Sequence, residues 1–124
     1  MTVVFGGAFN PPHVGHRIVA EAAYDLLKPE KFLIIPTFIS PHKMGSDIAA
    51  YDKRMEWCRK TFPCERFYVS DIESTLDGRS YTYNTVTKLL LSYSDVYLLI
   101  GEDSFLSFNR WYMAEELYKL CKLV

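Results

Sequence analysis

The feature that most constrains this chain lies in residues 1–27, where a short apolar run breaks at two glycines and leads through a proline- and histidine-rich loop into a helix. Thr2-Val3-Val4-Phe5 reads as a buried strand, and Gly6-Gly7 closes it with a tight turn, the glycines allowing φ > 0 and close backbone approach to a ligand. Ala8, Phe9, Asn10, Pro11 and Pro12 follow. The two prolines sit just before a helix start, where a missing N–H costs little. The helix is expected to begin near His13 or Val14. Val14, Ile18, Val19, Ala22, Ala23, Leu26 and Leu27 recur at helical spacing and predict one apolar stripe, with Arg17, Glu21 and Asp25 off it. Lys28-Pro29 ends the pattern.

Three more strand-like runs follow: Phe32-Leu33-Ile34-Ile35 stopped by Pro36, Phe67-Tyr68-Val69, and Val96-Tyr97-Leu98-Leu99-Ile100 stopped by Gly101. Between them, residues 37–50 are polar and broken by Pro41, Gly45 and Ser46, and predict a mobile loop. Tyr51 to Thr61 predicts a helix with Met55 and Cys58 inward and Lys53, Arg54, Glu56 and Arg59 outward. Ser70 to Arg79 is acidic and turn-like. Tyr83 to Tyr93 predicts a helix carrying Val86, Leu89, Leu90 and Tyr93, and two short helical pieces are expected at Ser104–Phe108 and Tyr112–Leu120. Strands alternating with helices predict an α/β fold, a doubly wound parallel sheet of Rossmann-like form with right-handed crossovers, in a single domain over 1–124. Ligands of such sheets bind beyond the carboxyl ends of the strands, which Gly6, Pro36 and Gly101 mark. Leu120 to Val124 reads as a helix running into a further strand, so the sheet is expected to be incomplete at its C-terminal side.

With 124 residues, 49% of them hydrophobic and 23% charged, the chain can bury one real core. A net charge of -1 argues against a strongly basic nucleic-acid surface. No apolar run of about 18 residues predicts a membrane span, and the N-terminus has no basic region of the secretory kind. Cys58, Cys64 and Cys121 form no C-x-x-C pair, which speaks for reduced thiols in a cytoplasmic protein and against a zinc site. No membrane and no nucleic acid are expected as partners; the sequence is silent on oligomeric state.

The chemistry concentrates in the first loop. Free N–H groups and the dipole at a helix start favour a phosphate. His13 and His16, three apart, share one side of the first turn, and Gly15 between them removes a side chain from the helix shoulder. Two imidazoles there can donate hydrogen bonds to phosphate oxygens and stabilise charge that builds during attack at phosphorus.

The string Gly6-Gly7-Ala8-Phe9-Asn10-Pro11-Pro12-His13-Val14-Gly15-His16 resembles the signature of the HxGH nucleotidylyltransferase superfamily, and more narrowly the loop GGxFDPxHxGH of bacterial nicotinate-nucleotide adenylyltransferases. Asn10 stands where that family has Asp. Ser40-Pro41-His42-Lys43 resembles its sPHK loop. Ser80 to Thr85 resembles its SYTxDT motif, with Asn84 for Asp. Ile100-Gly101-Glu102-Asp103, followed by Trp111-Tyr112, resembles its GxD…W segment. The matches come in the family's order and span nearly the whole chain.

The resemblance implies adenylyl transfer from ATP to nicotinate mononucleotide, giving deamido-NAD and pyrophosphate, with Mg²⁺ carried by the phosphates and no metal ligand from the protein. It implies that His13, His16 and Lys43 are catalytic. ATP would meet Gly6, Gly7, Ala8, Phe9, Gly15, Gly101 and Asp103 as well as the histidines. The nicotinate nucleotide would meet Asn10, Lys43, Tyr81, Thr82, Trp111 and Tyr112. An ISSTxxR-like motif, which gives the family a second phosphate-binding helix start, is absent from these residues. The chain is therefore expected to be part of a longer protein, and to bind ATP weakly or turn over slowly by itself. Nicotinamide-nucleotide and phosphopantetheine adenylyltransferases, and a non-catalytic nucleotide-binding module, remain alternatives.

Overall fold

The structure is a computed structural model that describes residues 1–9, 11–38, 49–75, 82–100, 111 and 113–123. In chain order the elements are β1 (Thr2–Gly7), α1 (Val14–Leu27), β2 (Lys31–Pro36), α2 (Tyr51–Thr61), β3 (Tyr68–Val69), a 3-10 turn (Ile72–Thr75), α3 (Thr82–Leu89), β4 (Val96–Leu99), α4 (Ala114–Leu120) and β5 (Lys122–Leu123). The strands form one sheet in the order β3-β2-β1-β4-β5, and every pairing is parallel. The expected doubly wound α/β fold is present. The reversal of strand order falls between β1 and β4, where such sheets bind ligands.

The apolar runs of β1, β2 and β4 lack polar alternation because both faces of the sheet are covered. Val3, Phe5, Phe32, Ile34 and Leu99 pack with Ala20 and Ala23 of α1 and with Cys58, Phe62 and Phe67. On the other face, Val4, Leu33, Ile35, Val96 and Leu98 pack with Val86 and Leu89 of α3 and with Leu117 of α4. The chain leaves α4 at Cys121 and enters β5, whose Lys122 and Leu123 pair with Tyr97 and Leu98 of β4. The expected helix at Ser104–Phe108 and most of the expected 37–50 loop lie outside the described residues.

Two expectations about facing are corrected. Of the seven residues expected to form the inward stripe of α1, only Ala23 and Leu27 turn toward the core, joined by Ala20 and Tyr24. Val14 is 71% exposed, Ile18 62% and Leu26 79%. The helix carries apolar residues on two sides, and the side with Ala20, Ala23, Tyr24 and Leu27 faces the core. Periodicity alone favoured the larger side chains. The second correction is Arg54, expected outward and found buried at 3% exposure. Among the described residues no helix is long and apolar enough to cross a membrane.

These facings are directly testable by urea denaturation. Phe62→Ala, which empties a site that is 1% exposed, is expected to cost about 3–5 kcal/mol. Leu26→Ala is expected to stay within about 0.5 kcal/mol of the parent. A large loss at Leu26 would show that α1 is turned the other way.

Candidate active site at the end of the first strand

β1 runs through Gly6 and Gly7, and Gly7 pairs with Pro36 at the end of β2. Neither glycine uses the left-handed freedom it has. The left-handed residue is Phe9, at φ 48. Such a conformation costs a bulky residue about 1–3 kcal/mol and persists only where the surroundings enforce it. Here the ring is anchored: it is 3% exposed and meets Phe5, Phe62 and His16 edge-on, with centroids 5.5, 5.8 and 5.0 Å away. Burial of one aromatic ring thus fixes the path of the loop that joins β1 to α1.

The start of α1 is held by its two histidines. His13 is the N-cap, in extended conformation, and its Nδ1 accepts from Gly15 N at 3.1 Å and His16 N at 3.4 Å. In return, Nδ1 of His16 accepts from His13 N at 3.0 Å. This is a reciprocal capping box made by imidazoles in place of hydroxyl and carboxylate. The rings stack with centroids 3.8 Å apart and 24° between planes, so the expected shared side is observed. With each Nδ1 used as an acceptor, the proton of each neutral ring resides on Nε2. The pair therefore presents two N–H donors outward from a helix start. Burial, then the neighbouring His13, lowers the pKa of His16 from its ordinary 6.5 and favours the neutral form.

Gly15 is explained by the same geometry. A Cβ at that position would lie 2.9 Å from Cε1 and 3.0 Å from Nδ1 of His13. The ring that caps the helix occupies the space a side chain would need.

A second group of residues sits on the same edge of the sheet. Helices that connect parallel strands run against them, so α3 begins beyond the carboxyl ends of β1, β2 and β4. Thr82, its first residue, is half-buried there. The Thr85 hydroxyl donates to Oε2 of Glu73, whose Oε1 accepts from Phe38 N at 3.4 Å. Glu73 is 4% exposed and thus ties the segment after β2 to the first turn of α3. Trp111 is partly buried against the core formed by α3 and α4. Asn10, Lys43, Tyr81, Gly101, Asp103 and Tyr112 lie outside the described residues.

Arg54 and Glu73 were not foreseen from sequence. For Arg54 a signal existed, since it lies four residues before Cys58 and shares the buried side of α2 with Cys58 and Met55. For Glu73, in an irregular acidic stretch, no periodicity points inward. Among the described residues no cluster of His, Cys, Asp or Glu is arranged to hold a metal ion. Burial pushes the Cys58 thiol up to about 12 and the Cys121 thiol to about 11, which removes both as nucleophiles at neutral pH. A cleft of about 460 Å³ opens between Lys31, Arg59, Cys64 and Arg66. It lies by the first residue of β2, at the opposite edge of the sheet from the histidines. Parallel sheets build their sites at the carboxyl edge, so the loop at Gly7–His16 is the stronger candidate.

A family model described as cytidylyltransferase-like matches residues 4–124. The chain belongs to the cytidylyltransferase-like family. The expected relationship to nicotinate-nucleotide adenylyltransferases holds within it. A protein of Pseudothermotoga lettingae described as a probable nicotinate-nucleotide adenylyltransferase is 37% identical over 98% of this chain and 61% of its own length. One of Aliarcobacter butzleri, with the same description, is 34% identical over 98% of this chain and 68% of its own length. The chain thus spans about three fifths to two thirds of the length of these curated relatives. A crystal structure from Vibrio parahaemolyticus, of a candidate nicotinate-nucleotide adenylyltransferase, superposes with a TM-score of 0.79 at 27% identity, over 98% of this chain and 70% of that one. A Plasmodium falciparum nicotinic acid mononucleotide adenylyltransferase complexed with NaAD shares the fold, with a TM-score of 0.76 at 18% identity.

Two outcomes follow for the histidine pair. Gly15→Ala is expected to displace the His13 ring and lose the cap, at a cost of about 1 kcal/mol in chemical denaturation. An unchanged stability and an unchanged His13 ring signal in NMR would contradict the clash. Because the folded pKa of His16 is lowered, its contribution to stability is complete above 6.5 and disappears as pH falls through that lower value. The melting temperature is therefore expected to fall more between pH 7.5 and 5 in the parent than in His16→Gln, which keeps an acceptor for the capping box but does not titrate. Equal falls would remove His16 as the source.

Proposed function

We propose that this chain forms the nucleotide-binding part of an adenylyltransferase that moves AMP from ATP to nicotinate mononucleotide, releasing pyrophosphate and deamido-NAD. The observation that carries the reading is the stacked His13–His16 pair at the start of α1. Both acceptor nitrogens are used internally and both Nε2–H donors are left for an anion.

In the reaction, an oxygen of the mononucleotide's 5′-phosphate forms a bond to the α-phosphorus of ATP. The bond from that phosphorus to the bridging oxygen breaks, and pyrophosphate leaves with the electron pair. No covalent enzyme intermediate is needed, so catalysis is positioning plus stabilisation of charge on the phosphoryl oxygens. His13 and His16 donate Nε2–H groups to those oxygens and to the departing phosphates. A neutral donor suits the task, because its hydrogen bond strengthens as negative charge grows in the transition state. The free N–H groups at the helix start add to the same field. In this reading Lys43 supplies positive charge. Gly6, Gly7, Ala8, Phe9, Gly15, Gly101 and Asp103 line the ATP site. Asn10, Tyr81, Thr82, Trp111 and Tyr112 receive the nicotinate nucleotide.

Mg²⁺ would arrive on the ATP phosphates and neutralise part of their charge. The described residues of the loop offer imidazoles and backbone N–H groups and no carboxylate cluster, so they are not proposed as its ligands. A cytoplasmic setting with ATP at hand belongs to the same reading.

A pyrophosphate-release assay with ATP and Mg²⁺ tests it, offering nicotinate mononucleotide, nicotinamide mononucleotide and phosphopantetheine in turn. Dinucleotide is expected with the nicotinate substrate, and product from phosphopantetheine alone would overturn the reading. His16→Ala is expected to lower kcat by about 10²–10³ with the fold intact. An unchanged rate would take His16 out of the mechanism. Trp111→Ala is expected to weaken the nicotinate nucleotide more than ATP, by stacking lost from the pyridine ring. Equal weakening of both would make Trp111 a core residue, consistent with its partial burial against α3 and α4.

A further inference from the structure

Arg54, in the first turn of α2, is a buried cation held by carbonyls. Its Nη1 donates to Ala8 O at 3.0 Å and to Thr37 O at 2.7 Å, and its Nε donates to Ala49 O at 2.9 Å. The guanidinium also lies 5.5 Å from the ring centroid of Tyr51. The three carbonyls come from three separate segments: the loop after β1, the exit of β2 and the entry to α2. Burying a guanidinium is costly unless its donors are met, so these contacts are strongly constrained.

The bond to Ala8 has a consequence for the next residue. In a trans peptide the C=O of one residue and the N–H of the next point in opposite directions. With the Ala8 carbonyl turned down onto Arg54, the Phe9 N–H is turned away from it. Phe9 is the left-handed residue of the loop. Among the described residues its N–H has no hydrogen-bond partner. The peptide lies between the end of β1 and the start of α1, and the Phe9 ring touches that of His16.

We propose that Arg54 is a positioning residue of the nucleotide loop: by clamping the Ala8 carbonyl it fixes the Phe9 N–H as an outward donor for a phosphate oxygen of the nucleotide. The inference rests on the adenylyl-transfer reading for the identity of the nucleotide. Its geometry rests on the clamp alone. Lysine cannot replace arginine here, because a single ammonium does not span three carbonyls held by a planar fork.

The test is an ¹⁵N NMR titration of the whole chain with inorganic pyrophosphate, read at the Phe9 amide and the two histidine rings. In the parent protein the Phe9 amide is expected to shift with the histidine signals. In Arg54→Lys the Phe9 shift is expected to be lost and the pyrophosphate Kd to rise about tenfold, as for one hydrogen bond to a charged group, while the stacked histidine signals are retained. In Arg54→Ala, added methylguanidinium is expected to restore part of the affinity, which a purely structural role would not give. A parent Phe9 amide indifferent to pyrophosphate overturns the proposal, and this measurement decides even if the variants do not fold. Parent-like affinity in Arg54→Lys overturns it equally. A parent chain that shifts Phe9 with pyrophosphate yet releases pyrophosphate from ATP only with phosphopantetheine as acceptor refutes the nicotinate-mononucleotide reading and leaves the role of Arg54 standing.

Discussion

The structure depends on β1 being paired on both edges and covered on both faces. Its partners β2 and β4 run parallel to it, and Val3, Phe5 and Val4 are buried on opposite sides. A strand enclosed in this way cannot shift by one residue without exposing an entire core face. Gly7 therefore has a fixed position relative to Pro36, and the loop that follows starts from a rigid point. Parallel pairing also collects the carboxyl ends of the three central strands on one edge, and the described helices that connect parallel strands start from that edge. The candidate site is a result of this geometry before any functional side chain is considered.

On that edge the helix start could have been capped by serine and glutamate, the usual pair. Imidazoles do the same work with a different remainder. A carboxylate at the third helical position would place negative charge where the proposed function puts a phosphate. An imidazole satisfies the same backbone N–H with Nδ1 and keeps a donor on Nε2. The absence of any acidic residue in the first turn of α1 fits the same logic. The hydrogen bonds that stabilise the helix start also fix both imidazole rings, so in the proposed reading damage to the cap at Gly15 is also damage to the site.

Most of the fold was legible in the sequence, because the unbroken apolar runs at 2–5, 32–35 and 96–100 and the breaks at Gly6, Pro36 and Gly101 leave little choice of architecture. The histidine pair was legible too, since spacing of three on a helix brings rings together. The facing of α1 was not. Two apolar sides on one helix give the same periodicity, and the core takes the side with Ala20 and Ala23 while Ile18 and Leu26 stay exposed. The left-handed backbone at Phe9 was not legible either. Glycines advertise left-handed backbone, but here the strain sits on a phenylalanine whose ring is anchored by Phe5, Phe62 and His16.

Arg54 and Glu73 mark the boundary of what hydrophobic pattern can reveal. Both are buried charges, and pattern analysis assigns charges to the surface. Each bonds irregular backbone: Arg54 the carbonyls of Ala8, Thr37 and Ala49, Glu73 the N–H of Phe38 together with the Thr85 hydroxyl of α3. Loops at the carboxyl edge of a parallel sheet carry backbone groups that no ladder satisfies, and as these loops pack down those groups must find partners inside the protein. A long side chain with fixed donors or acceptors meets that need at several points at once. Buried charges at this edge are therefore a natural answer to packed irregular loops, and their desolvation cost is offset by the hydrogen bonds they make to Ala8, Thr37, Ala49, Phe38 and Thr85.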